Sequence, residues 1–168
     1  MRRTTRALLA MIAFSAVIIG ACSGDDGEAG ELSSSDRGTP VAEVGQLAIH
    51  GPYVPAPPTE IATLYFVVVN ESDEADRLIG ISTTAAGTAM LHQTVVDGDS
   101  SRMSPVKDGL KIPPGGEAVL APGGYHVMLM SLVEPLEVDD IVQTTLEFEH
   151  AGTVTIEVPV IDAVGGQR

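Results

Sequence analysis

Cysteine is almost absent from this chain, with Cys22 the only one among 168 residues. No disulfide can therefore form within the chain, even in a compartment oxidising enough to permit one. Stability must come from a hydrophobic core instead, and a folded part of about 120 residues is long enough to build one.

Basic residues are also scarce. The sequence has nine Lys and Arg against 23 Asp and Glu, a net charge of −14. Three of the nine, Arg2, Arg3 and Arg6, fall in a predicted leader; without them six basic residues face the same 23 acids, and the net charge is −17. Such a surface repels nucleic acid and anionic lipid headgroups, so we expect neither to bind by charge.

The sequence contains no apolar run long enough for a stable membrane span. The run over residues 7–20 has 14 residues, whereas the hydrocarbon layer needs about 20 helical residues. It follows a basic start, which is typical of an export signal, and ends in the tetrapeptide Ile19–Cys22, which resembles the lipobox of bacterial lipoproteins. We interpret residues 1–21 as a lipoprotein signal peptide and Cys22 as the lipidated residue. An ordinary cleaved signal with an incidental cysteine is the alternative.

Composition divides the rest of the chain into three parts. Residues 22–43 are rich in Gly, Ser and acidic side chains, which predicts a disordered tether. Residues 44–162 are predicted to form one folded domain, and residues 163–168 a flexible tail. A lipid on Cys22 would place the domain outside the cytoplasm, anchored to a bacterial membrane on the cell surface or the periplasmic side.

The domain has the sequence pattern of an all-β fold. Residues 61–70 are rich in β-branched and aromatic side chains, and the segments on either side of a turn at 150–152 alternate polar and apolar residues. No stretch keeps a helical period beyond one or two turns. Eight or nine short strands between Gly and Pro turns predict a Greek-key β-sandwich or barrel. The predicted strands cover 46–50, 61–70, 77–83, 88–96, 101–106, 117–121, 125–132, 142–149 and 153–160, with a Pro-rich loop over 51–58.

Methionine and histidine are concentrated in one window of the sequence. All four methionines beyond the leader, and two of the four histidines, lie between Met90 and Met130. Thioethers and imidazoles together suit a soft, late transition metal, above all Cu(I). His126 and Met128 are two residues apart on a predicted strand, so their side chains leave one face with Cα atoms about 7 Å apart and can share one ion. Met90 and His92 share a face for the same reason.

Met103 follows the turn after the strand of His92, and a hairpin of that size can bring the two side chains together. A lone methionine is most often core filler, but a core filler has no reason to alternate with histidine beside a Gly-Gly turn. Val127 and Leu129 have the opposite parity to His126 and are predicted to face the core.

The remaining methionines and histidines of the domain receive simpler interpretations. Met90 and Met130 are expected to pack beside the site or to shield it. His50 and His150 have no paired-ligand spacing and are expected to be exposed at strand ends.

The spacing of His92, Met103, His126 and Met128 resembles the signature of the PCu(A)C-type copper chaperones. That signature is a His, ten residues, a Met, about twenty-one residues, and then His-x-Met. Here the two intervals are ten and 22 residues, and the extra residue falls where turns can absorb it. Members often carry Met directly after the first His, where this chain has Gln93. The likeness extends over residues 46–160 and is clearest in 62–70, 76–80, 91–94, 103–106 and 122–130.

The resemblance implies a cupredoxin-like β-sandwich that acts as a copper chaperone and not as an enzyme. It implies an exposed Cu(I) site formed by His92, Met103, His126 and Met128, and delivery of copper to the Cu(A) centre of cytochrome c oxidase. The implied partner is a copper-accepting protein, either an oxidase subunit or another assembly factor, and we expect a monomer. Whether Cu(II) also binds is left open.

Other classes of function fit the residues less well. A blue-copper electron carrier needs a thiolate ligand, and Cys22 lies outside the predicted domain. A metal-dependent hydrolase or oxygenase would use His and carboxylate ligands, but no His-x-His spacing is present. No Gly-x-Ser-x-Gly elbow of a serine hydrolase occurs. The remaining alternative is a metal-free β-sandwich lipoprotein that acts as a protein-interaction module and uses its methionines as core.

Overall fold

The computed structural model describes residues 38–98 and 100–162, and all of their regular structure is β. The predicted signal peptide, Cys22, most of the 22–43 tether and the 163–168 tail lie outside these ranges. Within them no helix is long and apolar enough to cross a membrane. Eleven strands are present: β1 (Ala42–Val44), β2 (Leu47–Pro55), β3 (Ile61–Asn70), β4 (Asp76–Thr83), β5 (Ala86–Asp97), β6 (Ser100–Pro105), β7 (Leu110–Ile112), β8 (Glu117–Leu120), β9 (Tyr125–Leu132), β10 (Ile141–Phe148) and β11 (Gly152–Ile161).

The predicted all-β fold class is confirmed, with two strands more than the upper expected number. The additional strands, β1 and β7, have three residues each, too few for an alternating pattern to stand out. β1 also begins two residues before the predicted start of the domain at 44.

The Pro-rich loop predicted over 51–58 is wrong in its first half, because β2 continues to Pro55. The strand changes course at Gly51, which has a φ of 51°, and the β2–β3 register shifts between His50 and Tyr53. A bulge of this kind lets a strand bend and continue past residues that cannot donate to the ladder.

The strands form two layers that face each other across one core. One layer has the order β6-β5-β9-β8-β3-β2, with β1 beside β2, and the other has the order β11-β10-β4-β7. The layers join at a short parallel seam, where Val54 and Pro55 of β2 pair with Val160 and Ile161 of β11. One cluster of buried side chains spans both layers, which is the architecture of a β-sandwich.

β9 occupies the middle of the first layer, because it is paired with β5 along one edge and with β3 along the other. Val127 and Leu129 are fully buried, as predicted from their parity. Burial of such a side chain stabilises the fold by about 1.5–3 kcal/mol. The side chains of opposite parity, His126 and Met128, therefore face the outer surface of this layer.

Asp76 fastens the β10–β11 turn to the start of β4. Its carboxylate accepts hydrogen bonds from the backbone N–H groups of Arg77 (2.6 Å), His150 (3.1 Å) and Ala151 (2.9 Å). Burial alone would raise the pKa of Asp76, but these three donors, with the charge of His150, hold that pKa below its ordinary value. Ionised Asp76 therefore stabilises the folded state.

We expect Asp76→Asn to lower the free energy of unfolding by about 1–3 kcal/mol near neutral pH, because the amide cannot accept all three donors. The folded-state pKa lies below the unfolded one, so the contribution is present above the ordinary Asp pKa and is lost as the pH falls through the lowered value. Urea unfolding at neutral and acidic pH measures both effects. Asp73→Asn, an exposed site in the preceding loop, is the matched control. An equal loss of stability at both pH values would contradict the role assigned to the charge.

Candidate metal centre

The outer surface of β6, β5 and β9 carries the four predicted ligands. His92 on β5 lies directly opposite His126 on β9, and Met103 on β6 lies opposite Thr94, two residues beyond His92 on the same face of β5. Met128 follows His126 on that face of β9. Strand pairing thus gathers the four predicted residues on one surface.

Two of the four side chains are in contact, with the Nε2 atom of His126 lying 3.4 Å from the Sδ atom of Met103. The other ring nitrogen, Nδ1, lies 3.0 Å from the backbone oxygen of Gly124. A carbonyl oxygen can only accept, so Nδ1 carries the proton and the neutral ring presents a lone pair at Nε2. In that form of the ring, the nitrogen lone pair of His126 and the thioether sulfur of Met103 face each other. This arrangement suits two ligands of one soft cation.

The carbonyl of Gly124 is itself held in place by the turn that precedes β9. Gly123 adopts a φ of 81°, and the Gly124 N–H donates to the oxygen of Ala121 at 3.0 Å. The same Gly124 oxygen accepts a hydrogen bond from the Thr94 N–H at 3.0 Å. The Gly-Gly turn therefore supplies the acceptor that selects the tautomer of His126 and ties it to β5.

His92 repeats this arrangement one strand away. Its Nδ1 atom lies 3.3 Å from the oxygen of Met90, which again leaves Nε2 without a proton in the neutral ring. The two imidazole rings are stacked, with centroids 6.0 Å apart and planes inclined by 18°. Both rings thus present the nitrogen suited to a metal.

Burial differs sharply between His126 and Met103, the two donors in contact. His126 is only 4% exposed, whereas Met103 is 52% exposed. His92 and Met128 are half-buried. The imidazole of His126 therefore lies beneath a thioether that is open to solvent.

The donors in this group favour a soft metal. Among residues 38–98 and 100–162, no cluster of three or more His, Cys, Asp or Glu side chains is placed to hold a metal ion. Two neutral imidazoles and two thioethers fit Cu(I).

The structure shows where the other histidines and methionines of the domain lie. His50 was expected to be exposed, but it lies within β2 and is only 7% exposed, since β2 extends on both sides of it. His150 is exposed, as expected. Neither Met90 nor Met130 belongs to the hydrophobic core; both lie on the outer surface beside Met128. The Gly124 carbonyl was missed as a partner, although the Gly-Gly turn beside His126 was visible in the sequence.

The sequence is similar to a family of lipoproteins. A sequence profile described as "Putative lipoprotein LpqE-like" matches residues 47–160. The putative lipoprotein Lxx21020 of Leifsonia xyli subsp. xyli is 32% identical over 168 residues, covering 100% of this chain and 98% of its own length.

Solved structures of copper-binding domains share the fold. The copper-bound PCuAC domain from PmoF2 is 32% identical, with a TM-score of 0.60 over 72% of this chain and 97% of that domain. The Cu(I) form of DR1885 from Deinococcus radiodurans is 30% identical, with a TM-score of 0.58 over 80% of this chain and 89% of that one.

The tautomer of His126 is directly testable. We expect long-range ¹H–¹⁵N spectra, recorded at a pH where the imidazole is neutral, to show the proton on Nδ1, because the Gly124 oxygen accepts from that atom. Exposed His150 is the internal control and should show the tautomer mixture of a solvated ring. A proton on Nε2 of His126 would contradict the arrangement described above.

Proposed function

Since the chain belongs to the LpqE-like lipoprotein family and to the PCu(A)C-type copper-binding domains, we propose that it is an extracytoplasmic copper chaperone. The proposed ligands of Cu(I) are His92, Met103, His126 and Met128. The observation that carries the proposal is the 3.4 Å approach of the Met103 sulfur to the Nε2 atom of His126.

The chemistry of these donors explains a preference for Cu(I). Two thioethers and two neutral imidazoles form an uncharged, soft set that favours Cu(I) over Zn(II) or Mg(II). Thioethers are not protonated in an acidic compartment and cannot form disulfides in an oxidising one, so the two sulfur donors remain available in both.

A chaperone must also release its metal, and the burial gradient of the site supports release by ligand exchange. Met103 is the more exposed donor, and His126 the more buried. As a thiolate of the acceptor binds Cu(I), the Cu–S bond to Met103 breaks first and the bonds to the imidazoles break later. Copper stays in the +1 state throughout, so no oxidant or reductant is needed.

The acceptor that best fits this exchange is a copper protein with cysteine ligands. The resemblance to PCu(A)C-type chaperones supports the Cu(A) centre of cytochrome c oxidase, reached directly or through another assembly factor. A metal-free interaction module is less well supported, because the buried core of the described residues contains no methionine.

The proposed function predicts tight binding of one Cu(I) that depends on the paired donors. We expect the Met103→Leu, His126→Ala double variant to lose at least about 100-fold in Cu(I) affinity, since loss even of an outer partner of a ligand costs up to about that much. Competition with a chromogenic Cu(I) chelator measures the affinity. His150→Ala, a histidine exposed on the other layer, is the matched control and should bind as the unaltered protein does.

Two results would count against the proposal. Unchanged affinity in the double variant would remove the proposed ligands and favour the interaction module. Retention of Cu(I) against an excess of a peptide with two cysteines would indicate a copper store and not a chaperone.

We also propose that Cys22 carries the lipid that holds the domain at the membrane. The support is the tetrapeptide Ile19–Cys22, together with the lipoprotein descriptions of the matching family and relative. Expressed in a bacterium, the Cys22→Ser variant should move from the membrane fraction to the soluble fraction and lose metabolic labelling by a fatty acid. A variant that keeps both properties would contradict lipidation at this residue.

A further inference from the structure

The described methionines all lie outside the hydrophobic core. Met90 is 42% exposed and Met103 is 52% exposed, while Met128 and Met130 are half-buried. A flexible thioether side chain is usually placed in a core to fill gaps, and the core of this domain uses Leu, Val, Ile, Phe and Ala instead. The surface of β5, β6 and β9 thus carries more thioethers than the proposed four-donor site uses.

Strand register places three of these thioethers side by side. Met90 on β5 is the direct partner of Met128 on β9, and Met130 follows Met128 on the same face, opposite Thr88. Directly opposed side chains have Cβ atoms about 4.5–5.5 Å apart, and diagonal neighbours lie about 7–8 Å apart. Methionine has three rotatable side-chain bonds, so three sulfur atoms can converge from these positions.

The register partners of these three residues on the neighbouring strands are uncharged. The register partners of Met128 and Met130 on β3 are Thr63 and Ile61, and Thr88 faces Met130 from β5. None of these side chains supplies an imidazole or a carboxylate. Three neutral thioethers are a ligand set for Cu(I) or Ag(I) and a poor one for Zn(II), Mg(II) or Ca(II).

We propose that Met90, Met128 and Met130 form a second, weaker Cu(I) site that adjoins the first and shares Met128 with it. This inference rests on the proposed function of the first site. When the second ion binds, Met128 turns toward it, and the first ion keeps His92, Met103 and His126. One Cu–S bond breaks as another forms, with no change of oxidation state. A second ion held this way lies next to the exchange position on the same surface.

The test uses Ag(I) as a closed-shell probe that does not oxidise, with methionine labelled by ¹³C in the methyl group. In the unaltered protein, the first equivalent should shift the methyl resonances of Met103 and Met128, and the second those of Met90 and Met130. In the His92→Ala, His126→Ala variant, which lacks the imidazoles of the first site, Ag(I) should still shift Met90, Met128 and Met130.

A single substitution separates the two sites. Met90→Leu should weaken binding of the second equivalent by at least about tenfold, the lower end of the effect of losing an outer partner of a ligand, and leave the first equivalent unchanged. Ile61→Leu alters an apolar side chain exposed on the same face without removing a sulfur, and should leave both equivalents intact.

The possible outcomes distinguish the second site from the first. If the first equivalent binds but the methyl groups of Met90 and Met130 do not respond, the second site is refuted and the chaperone proposal stands. Responses that vanish in the double histidine variant also refute it, because they then report only the first site. Absence of the first equivalent from the unaltered protein would refute the proposed function itself.

Discussion

β9 is hydrogen-bonded along both edges, to β5 on one side and to β3 on the other, and the placement of the proposed donors follows from this. Val127 and Leu129 are fully buried, and a one-residue slip would turn both out of the core. The same constraint holds His126 and Met128 on the outer surface. The rigidity of the site therefore comes from core packing on the opposite face of β9.

The imidazole and thioether donors of the proposed site differ in how firmly the protein holds them. The imidazoles are held by backbone carbonyls, with His126 bound to the Gly124 oxygen and His92 to the Met90 oxygen. Each ring is thereby oriented before any metal arrives, which reduces the entropy lost on binding. Met103 has no comparable restraint and is half exposed. The oriented imidazoles favour affinity, and the exposed thioether of Met103 favours exchange.

Much of this organisation could be predicted from the sequence because it depends on strand parity. The alternating segments on either side of the turn at 150–152 form β10 and β11, and residues 61–70, rich in β-branched and aromatic side chains, match β3. The common face of His126 and Met128 follows from the same rule. The burial of His50 could not be predicted, because it depends on the bulge at Gly51 that lets β2 continue.

The contact between Met103 and His126 also could not be predicted from the sequence. The β5–β6 hairpin predicts only that Met103 lies near the strand of His92. Which ring it reaches depends on the β5–β9 register, a pairing between strands separated by 27 residues from Asp97 to Tyr125, and no local pattern specifies it. Long-range register is decided by how the buried faces of the two strands pack together.

β6, the strand that carries Met103, has every side chain exposed and is paired only with β5. A segment that buries so little contributes few interactions to global stability, and its opening is among the motions that require least free energy. Met103 can then leave the buried imidazole while β9 and the core remain folded. The lifetime of bound metal would be governed by fraying of one edge strand, so that metal release and unfolding of the domain respond to different substitutions.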